Sequence, residues 1–215
     1  PGTIQFNCEN NSHGQQLKAQ AHSVGSSAVH TLPNVTGELM PGKIEGTNFT
    51  DSLLVGHATT GTLDAAERNT GVGIEALDAL TSGDGNTAIG YQAGSAITTE
   101  NSNTLIGKGA GDILTSNHNT AIGHNALGAA SSSSNGNTVV GRSAMKDSTS
   151  ATYNTAIGMS ALEDATGTFN IGLGSNSGDN ITSGSGNVII GSVDASSATG
   201  DRQLLISGYD GSTTT

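Results

Sequence analysis

The chain has 215 residues, of which 33% are hydrophobic, 3% aromatic and 12% charged, and its formal net charge is −11. This is too few large apolar side chains for a conventional core, and the scarcity of Lys and Arg argues against binding nucleic acid through its phosphates. One cysteine, Cys8, excludes an intrachain disulfide framework and a multi-cysteine metal site.

No apolar run approaches the length that a membrane span needs, and no signal peptide is visible. We therefore expect no membrane insertion. Because the sequence begins at Pro1 without a methionine, we expect a fragment whose true ends lie elsewhere.

Residues 1–50 read as a small N-terminal β module with its linker. Alternation predicts short strands at residues 4–6 and 28–32, with a turn at Asn10–Gly14 between them. Residues 35–48 contain Gly37, Pro41, Gly42 and Gly46, which predicts a loop or linker.

Three histidines in this region, His13, His22 and His30, lie near Cys8 and Glu9. Imidazole and thiolate are suitable metal ligands, but no pair has a recognised spacing. We expect polar surface and no metal or cofactor. If the chain trimerises, a single histidine near the axis would supply three ligands.

From residue 51 onward a pentad recurs, with Asn86-Thr87-Ala88-Ile89-Gly90 as its typical form. Identical copies begin at Asn119 and Asn154, and looser ones extend from Ser52 to Gly191. Their closing glycines are Gly56, Gly73, Gly90, Gly107, Gly123, Gly141, Gly158, Gly174 and Gly191. The steps between them are 17, 17, 17, 16, 18, 17, 16 and 17 residues, which marks a repeat architecture.

A unit of about 17 residues is too short for two helices, and its Asn, Gly, Thr and β-branched residues favour a short strand. We predict an all-β fold in which parallel β-roll or β-helix repeats stack over residues 51–200. Residues 201–215 would be an exit segment toward a missing C-terminal region. Nine rungs at about 4.8 Å would give a rod of about 43 Å.

The residue before each closing glycine is always aliphatic, and we predict that this column faces the interior. The column comprises Val55, Val72, Ile89, Ile106, Ile122, Val140, Ile157, Leu173 and Ile190. A second small column follows three residues after the glycine, for example Ala93 and Ala110. The residue directly after the glycine varies (Tyr91, Lys108, His124), so we expect it in solvent.

In a straight strand the residues before and after the glycine would share a face. We therefore predict a bend at each closing glycine, followed by a short second strand and a variable loop such as residues 129–136. The Asn that opens each pentad is expected either to stack in an amide ladder along the coil or to cap its own turn.

Each rung offers only two or three apolar side chains, so a single coil leaves an apolar stripe exposed along the rod. Three-fold closure around one axis would bury it. We therefore predict an obligate homotrimer.

The Asn-Thr-Ala-Ile-Gly copies resemble the head repeats of trimeric autotransporter adhesins. Their longer period is closer to the versions in bacteriophage tail-fibre proteins. That resemblance covers residues 52–191 and implies left-handed parallel β-rolls packed as trimers.

Both flanks favour the phage alternative. Residues 2–14, with His22-Ser23 and residues 31–34, are similar to an N-terminal module of fibre proteins from marine phages. Residues 201–208, with Gly211-Ser212, look like the segment before an endosialidase-type intramolecular chaperone, which trimerises fibres and then cleaves itself away.

No catalytic constellation is apparent, so we do not expect an enzyme. Carboxylates occur in the loops, including Asp64, Glu67, Asp84, Glu100, Asp112, Asp147 and Asp179. A pair could flank a glycosidic bond, as in a tailspike that depolymerises capsular polysaccharide, but such enzymes usually use aromatic platforms that this chain lacks.

We expect a structural fibre protein of a phage virion, on the tail or the capsid. Its partners would be sister chains, other virion proteins through the N-terminal module, and a host receptor or glycan. A bacterial adhesin head and a polysaccharide depolymerase are the alternatives.

Overall fold

The computed structural model describes residues 3–6, 15–18, 42–46, 49–56, 61–129 and 134–208. The chain divides into two units, Pro1–Gly37 and Glu38–Thr215. In the first unit β1 (Thr3–Phe6) pairs antiparallel with β2 (Gln15–Lys18), so the strand predicted at residues 4–6 is confirmed. The strand predicted at residues 28–32 lies outside the described residues.

The second unit begins with an antiparallel pair rather than a linker. Strand β3 (Gly42–Gly46) pairs with β4 (Phe49–Val55) and covers the first edge of the repeat sheet. The predicted loop is therefore wrong at residues 42–46, because an unpaired edge is a place where even a glycine-flanked segment gains hydrogen bonds. The boundary predicted at residue 50 falls inside β4. A two-residue strand, β5 (Ala66–Glu67), pairs in parallel with the start of β4.

All remaining strands of the described chain are three residues long and add to β4 in parallel, one per turn, building a single-sheet β-solenoid of about nine turns. They are β6 (Thr70–Val72), β7 (Thr87–Ile89), β8 (Thr104–Ile106), β9 (Thr120–Ile122), β10 (Thr138–Val140), β11 (Thr155–Ile157), β12 (Ile171–Leu173), β13 (Val188–Ile190) and β14 (Leu204–Ile206). No helix occurs in the described part of the chain, and the all-β stack of repeats is confirmed.

The register is constant although the sequence spacing is not. Thr104 pairs with Thr87, 17 residues earlier, and with Thr120, 16 residues later. Each turn of the coil, here called a rung, therefore absorbs insertions in its loop and keeps its strand aligned. The loop predicted to absorb the longest step falls partly on residues 130–133, which are outside the described residues.

An asparagine ladder runs through the coil beside the sheet. Asn86 donates its backbone N–H (2.9 Å) and its Nδ2 (3.1 Å) to Oδ1 of Asn69. The same Nδ2 donates to the carbonyl of Glu100 at 2.8 Å, in the next rung. The eight asparagines from Asn69 to Asn187 are at most 1% exposed, so the amide ladder is confirmed.

A second ladder, not anticipated from the sequence, lies two residues earlier in the rung and has the opposite polarity. Asp84 accepts the N–H of Glu67 at 2.8 Å, and Asn101 accepts the N–H of Asp84 at 2.7 Å. Further members are Asn117, Asn135, Ser185 and Asp201. Its members share only a side-chain oxygen, so no single residue type marks the position.

The core of the coil combines alanines with fully buried Leu, Ile and Met side chains. The middle residue of each strand from β6 to β13 is buried, and so are the described residues three, four and seven positions after the closing glycines from Gly73 to Gly174. Where the fourth position is Gly94 or Gly111, Leu105 occupies the space, and an added Cβ at Gly94 would lie 2.7 Å from its Cδ1. Close packing across rungs thus compensates for the missing side chains.

From Gly73 onward, no second strand follows the closing glycine within the described rungs. In its place is a turn in which the alanine three residues on donates to the glycine carbonyl, as Ala93 does to Gly90 at 3.3 Å. The backbone N–H of the following residue donates to a carbonyl of the next rung, as Gly94 does to Ala110 at 3.0 Å. Two residues of each such turn have positive φ, for example Gln92 at 56° and Leu77 at 57°, and this left-handed backbone prevents an extended strand.

The coil continues past the predicted boundary at residue 200. Strand β14 pairs in parallel with β13, and Gln203 extends the amide ladder by donating its N–H to Oδ1 of Asn187 at 2.8 Å. Glutamine carries the same amide group, which is why the rung forms without the Asn signature.

Candidate interaction surface

The outer surface of the parallel sheet is a two-column face, here called the sheet face. It consists of the first and third residues of each three-residue strand, together with Leu53 and Val55 of β4. Side chains alternate across a strand, so the middle residue is buried while its two neighbours point outward. The burial pattern of β7 shows this, with Ala88 fully buried and Ile89 39% exposed.

The predicted interior column is therefore wrong for the coil of a single chain. Val72, Ile89, Ile157 and Leu173 are between 37% and 43% exposed, and the rest of the column up to Ile190 is half-buried on the same face. The interior position is one residue earlier, where Leu54, Ala88, Leu105, Val139 and Ile189 have no exposed surface. The pleat of the strand, and not the size of the side chain, sets this direction, since Val139 is buried and its identical neighbour Val140 faces outward.

The sheet face carries no charge over ten rungs. One column is threonine from Thr70 to Thr155 and becomes aliphatic at Ile171, Val188 and Leu204. The other column is aliphatic throughout. Nine steps of about 4.8 Å make the face about 43 Å long. A continuous apolar strip of this length is uncommon on the surface of a monomer and marks an interaction site.

The closing glycines hold the corner between the sheet face and the next surface. Their φ values lie between 108° and 145°, a region that only glycine adopts readily, so the predicted bend is confirmed. The close approach of the next rung is a second reason why these positions are glycine. A Cβ on Gly90 would lie 2.5 Å from the carbonyl oxygen of Gly107 in the next rung.

Beyond this corner, the column after the glycine is in solvent as predicted. Tyr91 and Met159 are 43% and 41% exposed, and Lys108, His124 and Arg142 between them are also exposed. The residues before and after the glycine both face outward, on two surfaces that the bend separates.

Comparison of the chain with protein-family models, curated proteins and solved structures gave no match.

The carboxylates predicted as possible acid–base pairs are distributed over several rungs, and some are structural acceptors. Asp84 belongs to the second ladder, and Oε2 of Glu100 accepts the N–H of Thr98 at 2.7 Å. Burial raises the pKa of Asp112, whose carboxylate accepts the N–H of Ile113 at 3.1 Å.

Asp179 and Asp194 form a carboxyl pair near the C-terminal end of the described coil. They line a cavity of about 670 Å³ together with Asn176, Ser192, Val193, Ser196, Leu205 and Ser207. Burial, a hydrogen bond with Asp194, and the negative charges of Asp194, Glu163 and Asp164 raise the pKa of Asp179 to about 6. Loss of water contact and the nearby negative charges both favour the protonated form of Asp179.

Within the described ranges, no group of three or more His, Cys, Asp or Glu side chains is arranged to hold a metal ion. Cys8, Glu9, His13, His22 and His30 lie outside those ranges, so the expectation of polar surface without a metal stays a prediction. A search of the described residues for a helix long and apolar enough to cross a bilayer found none.

Proposed function

We propose that the chain is a structural fibre protein that assembles as a homotrimer through the sheet face and acts as a stiff, non-enzymatic rod. The observation that carries this proposal is the uncharged sheet face of ten rungs on a chain whose net charge is −11. Burying such a face in sister copies removes apolar surface from water at roughly 25 cal/mol per Å².

Rotational closure suits this face better than open-ended association. Every rung presents the same two positions in the same register, so copies related by an axis parallel to the rod make equivalent contacts in each rung. Three-fold closure is the arrangement that the repeat's resemblance to trimeric adhesin heads and phage fibres implies. Closed symmetry also leaves no apolar face available for further, uncontrolled association.

The virion assignment rests on the phage-like form of the repeats and on the two flanking segments. In it, the segment before the coil attaches to other virion proteins, and the rod reaches toward a host receptor or glycan. A bacterial adhesin head shares the architecture and is the second candidate. The complete gene would separate the two, since an adhesin needs a secretion signal upstream and a membrane anchor downstream.

The test of assembly is the mass of the purified chain in native buffer by light scattering. We expect about 64 kDa, three times the 21.3 kDa of one chain, at all micromolar concentrations. A folded, soluble species of one-chain mass would overturn the proposal. Labelling intact phage particles with antibody to the chain would then test its place on the virion.

A further inference from the structure

We propose that Lys108, His124 and Arg142 form a docking strip for an acidic, carboxylate-bearing polysaccharide that lies along the rod. These three residues, here called the basic strip, occupy the same position in three successive rungs, directly after the closing glycine. The proposal rests on the attachment role proposed above and names the chemical class of its receptor.

The backbone holds the basic strip in line. Asn125 donates its N–H to the carbonyl of Lys108 at 2.9 Å, and Ser143 donates to that of His124 at 2.9 Å. Ser160 then donates to that of Arg142 at 3.0 Å. These bonds tie each rung to the next, so the three side chains start from points about 4.8 Å apart on a rigid support. Such preorganisation lowers the entropy lost when a linear ligand binds.

The surroundings of the strip lack negative charge, although the chain has 18 Asp and Glu against 7 Lys and Arg. The column after the closing glycine contains no carboxylate from Ile74 to Ser192. The adjacent column contains one, Glu75, whose Oε2 accepts a hydrogen bond from Gln92 at 2.7 Å. An anionic ligand therefore meets attraction on this side of the rod and repulsion on most others.

The cations of the strip are also unpaired. The two ion pairs found among the described residues join Arg68 to Glu67 and Lys146 to Asp147. Neither includes Lys108 or Arg142. The guanidinium of Arg142 contacts the sulfur of Met159 at 3.0 Å, which leaves its other donors for a carboxylate in the paired geometry that arginine favours.

The dimensions favour a single polysaccharide chain over other anionic partners. A protein interface needs about 800 Å² on each side, far more than a row one residue wide. Nucleic acid is held by many phosphate contacts, and the net charge of this chain opposes it. A polymer with one carboxylate per sugar can lie along the line from Lys108 to Arg142, with the imidazole of His124 between these two cations. Tyr91 at the end of the strip adds a rigid, amphipathic contact surface.

The experiment uses the purified chain and size-defined oligogalacturonate, with a neutral oligosaccharide of equal length as the control ligand. The test variant is Lys108→Gln with Arg142→Gln. The matched control is Arg68→Gln with Arg202→Gln, which removes two exposed cations elsewhere and changes the net charge equally. Binding is measured by titration calorimetry at low and at physiological salt, and the mass of every variant by light scattering.

We expect oligogalacturonate to bind the wild-type chain and to weaken with salt, while the neutral oligosaccharide does not bind. The Lys108/Arg142 variant should lose at least about tenfold in affinity, and the Arg68/Arg202 variant less than about twofold. Three results would overturn the proposed docking strip. They are an equal loss of affinity for oligogalacturonate in both variants, equal binding of the neutral oligosaccharide, and no binding of oligogalacturonate by the wild-type chain.

The two proposals fail in different ways. If the chain is a trimer that does not bind oligogalacturonate, the docking strip is overturned and the proposed trimeric rod is unaffected. If the chain is a monomer whose binding depends on Lys108 and Arg142, the proposed trimer is overturned and the docking strip is unaffected.

Discussion

At the scale of single residues, the buried asparagine is the group that the coil depends on most. In a narrow interior, each amide accepts the backbone N–H of the next ladder residue and donates to a backbone carbonyl. The side-chain oxygen Oδ1 of Asn119 accepts two hydrogen bonds from Asn137. One comes from the backbone N–H of Asn137 at 2.9 Å and the other from the Nδ2 of Asn137 at 3.1 Å. The Nδ2 of Asn119 donates to the carbonyl of Asn117 at 3.0 Å.

Replacing Asn119 by alanine should therefore lower the free energy of unfolding by about 3 kcal/mol, because a buried donor without an acceptor costs about 1–3 kcal/mol and several are left. The neighbouring His118→Ala, at an exposed position, is the control and should cost less than about 1 kcal/mol. Urea unfolding followed by circular dichroism measures both. Equal midpoints for the two variants would contradict the structural role of the ladder.

The Asp179–Asp194 pair gives a pH dependence of known sign. The pKa of Asp179 is raised from 3.8 to about 6 in the folded chain. The folded state therefore holds this proton at pH values where the unfolded state has lost it. Stability from this group is greatest below pH 3.8 and decreases as the pH rises to about 6.

The variant Asp179→Asn should remove that decrease. We expect its urea midpoint to exceed that of the wild type at pH 7, with the difference shrinking toward pH 4. Asp64→Asn, at an exposed position, changes the net charge equally and should not reproduce the effect. A wild-type profile that Asp179→Asn leaves unchanged would show that the carboxyl pair does not affect folding.

At the scale of elements, the unit is a three-residue strand that ends at a glycine. Val139 and Val140 show that the geometry of the strand decides whether a side chain is buried. They are identical neighbours, yet Val139 is completely buried in the coil and Val140 is half-buried on the sheet face. Hydrophobicity cannot distinguish them, and only the direction of the strand's pleat does.

The closing glycine can be tested against another glycine that also has a positive φ. Gly90 has φ 136°, and an added Cβ would lie 2.5 Å from the oxygen of Gly107. Gly85 has φ 66°, and the nearest atom to an added Cβ is Oγ of Ser102 at 3.9 Å.

Gly90→Ala should lower the free energy of unfolding by at least about 3 kcal/mol, because strain in a glycine-only region adds to a clash with backbone. Gly85→Ala should cost only about 1 kcal/mol, the penalty for alanine in a left-handed conformation. Thermal unfolding of the pair provides the comparison. A Gly90→Ala chain as stable as Gly85→Ala would mean that neighbouring rungs are not packed this closely.

At the scale of the whole molecule, the sheet face governs association. Ile89 and Ile157 are each 39% exposed in one chain, so the coil itself tolerates a polar group at these positions. In the proposed trimer the same two side chains are buried, where an unpaired carboxylate is expensive.

The double variant Ile89→Asp with Ile157→Asp should therefore prevent assembly and yield chains of one-chain mass. Ile74→Asp is the control, because Ile74 is 59% exposed on the other side of the glycine corner, and its mass should equal that of the wild type. Light scattering and circular dichroism on the same samples measure mass and folding together. A double variant that keeps the wild-type mass would place the subunit contact elsewhere.

The sequence by itself determined the period, the rung positions and the bend at each glycine, and it gave the amide ladder as one of two roles for the asparagine. Each follows from a residue type that has few alternative uses in a short repeat, such as Gly90 or Asn86. Sequence reasoning did not find the rung at Gln203 or the second ladder through Asp84, since those positions share only a chemical group.

Only the tertiary structure decided which residues of each rung face the interior of the coil and which face outward. It placed Ala88 inside and Ile89 outside, and it replaced the expected second strand by a turn with left-handed residues. The physical reason is that the direction of a side chain is set by backbone conformation and by hydrogen bonds to neighbouring rungs. Hydrophobicity along the chain carries no record of either.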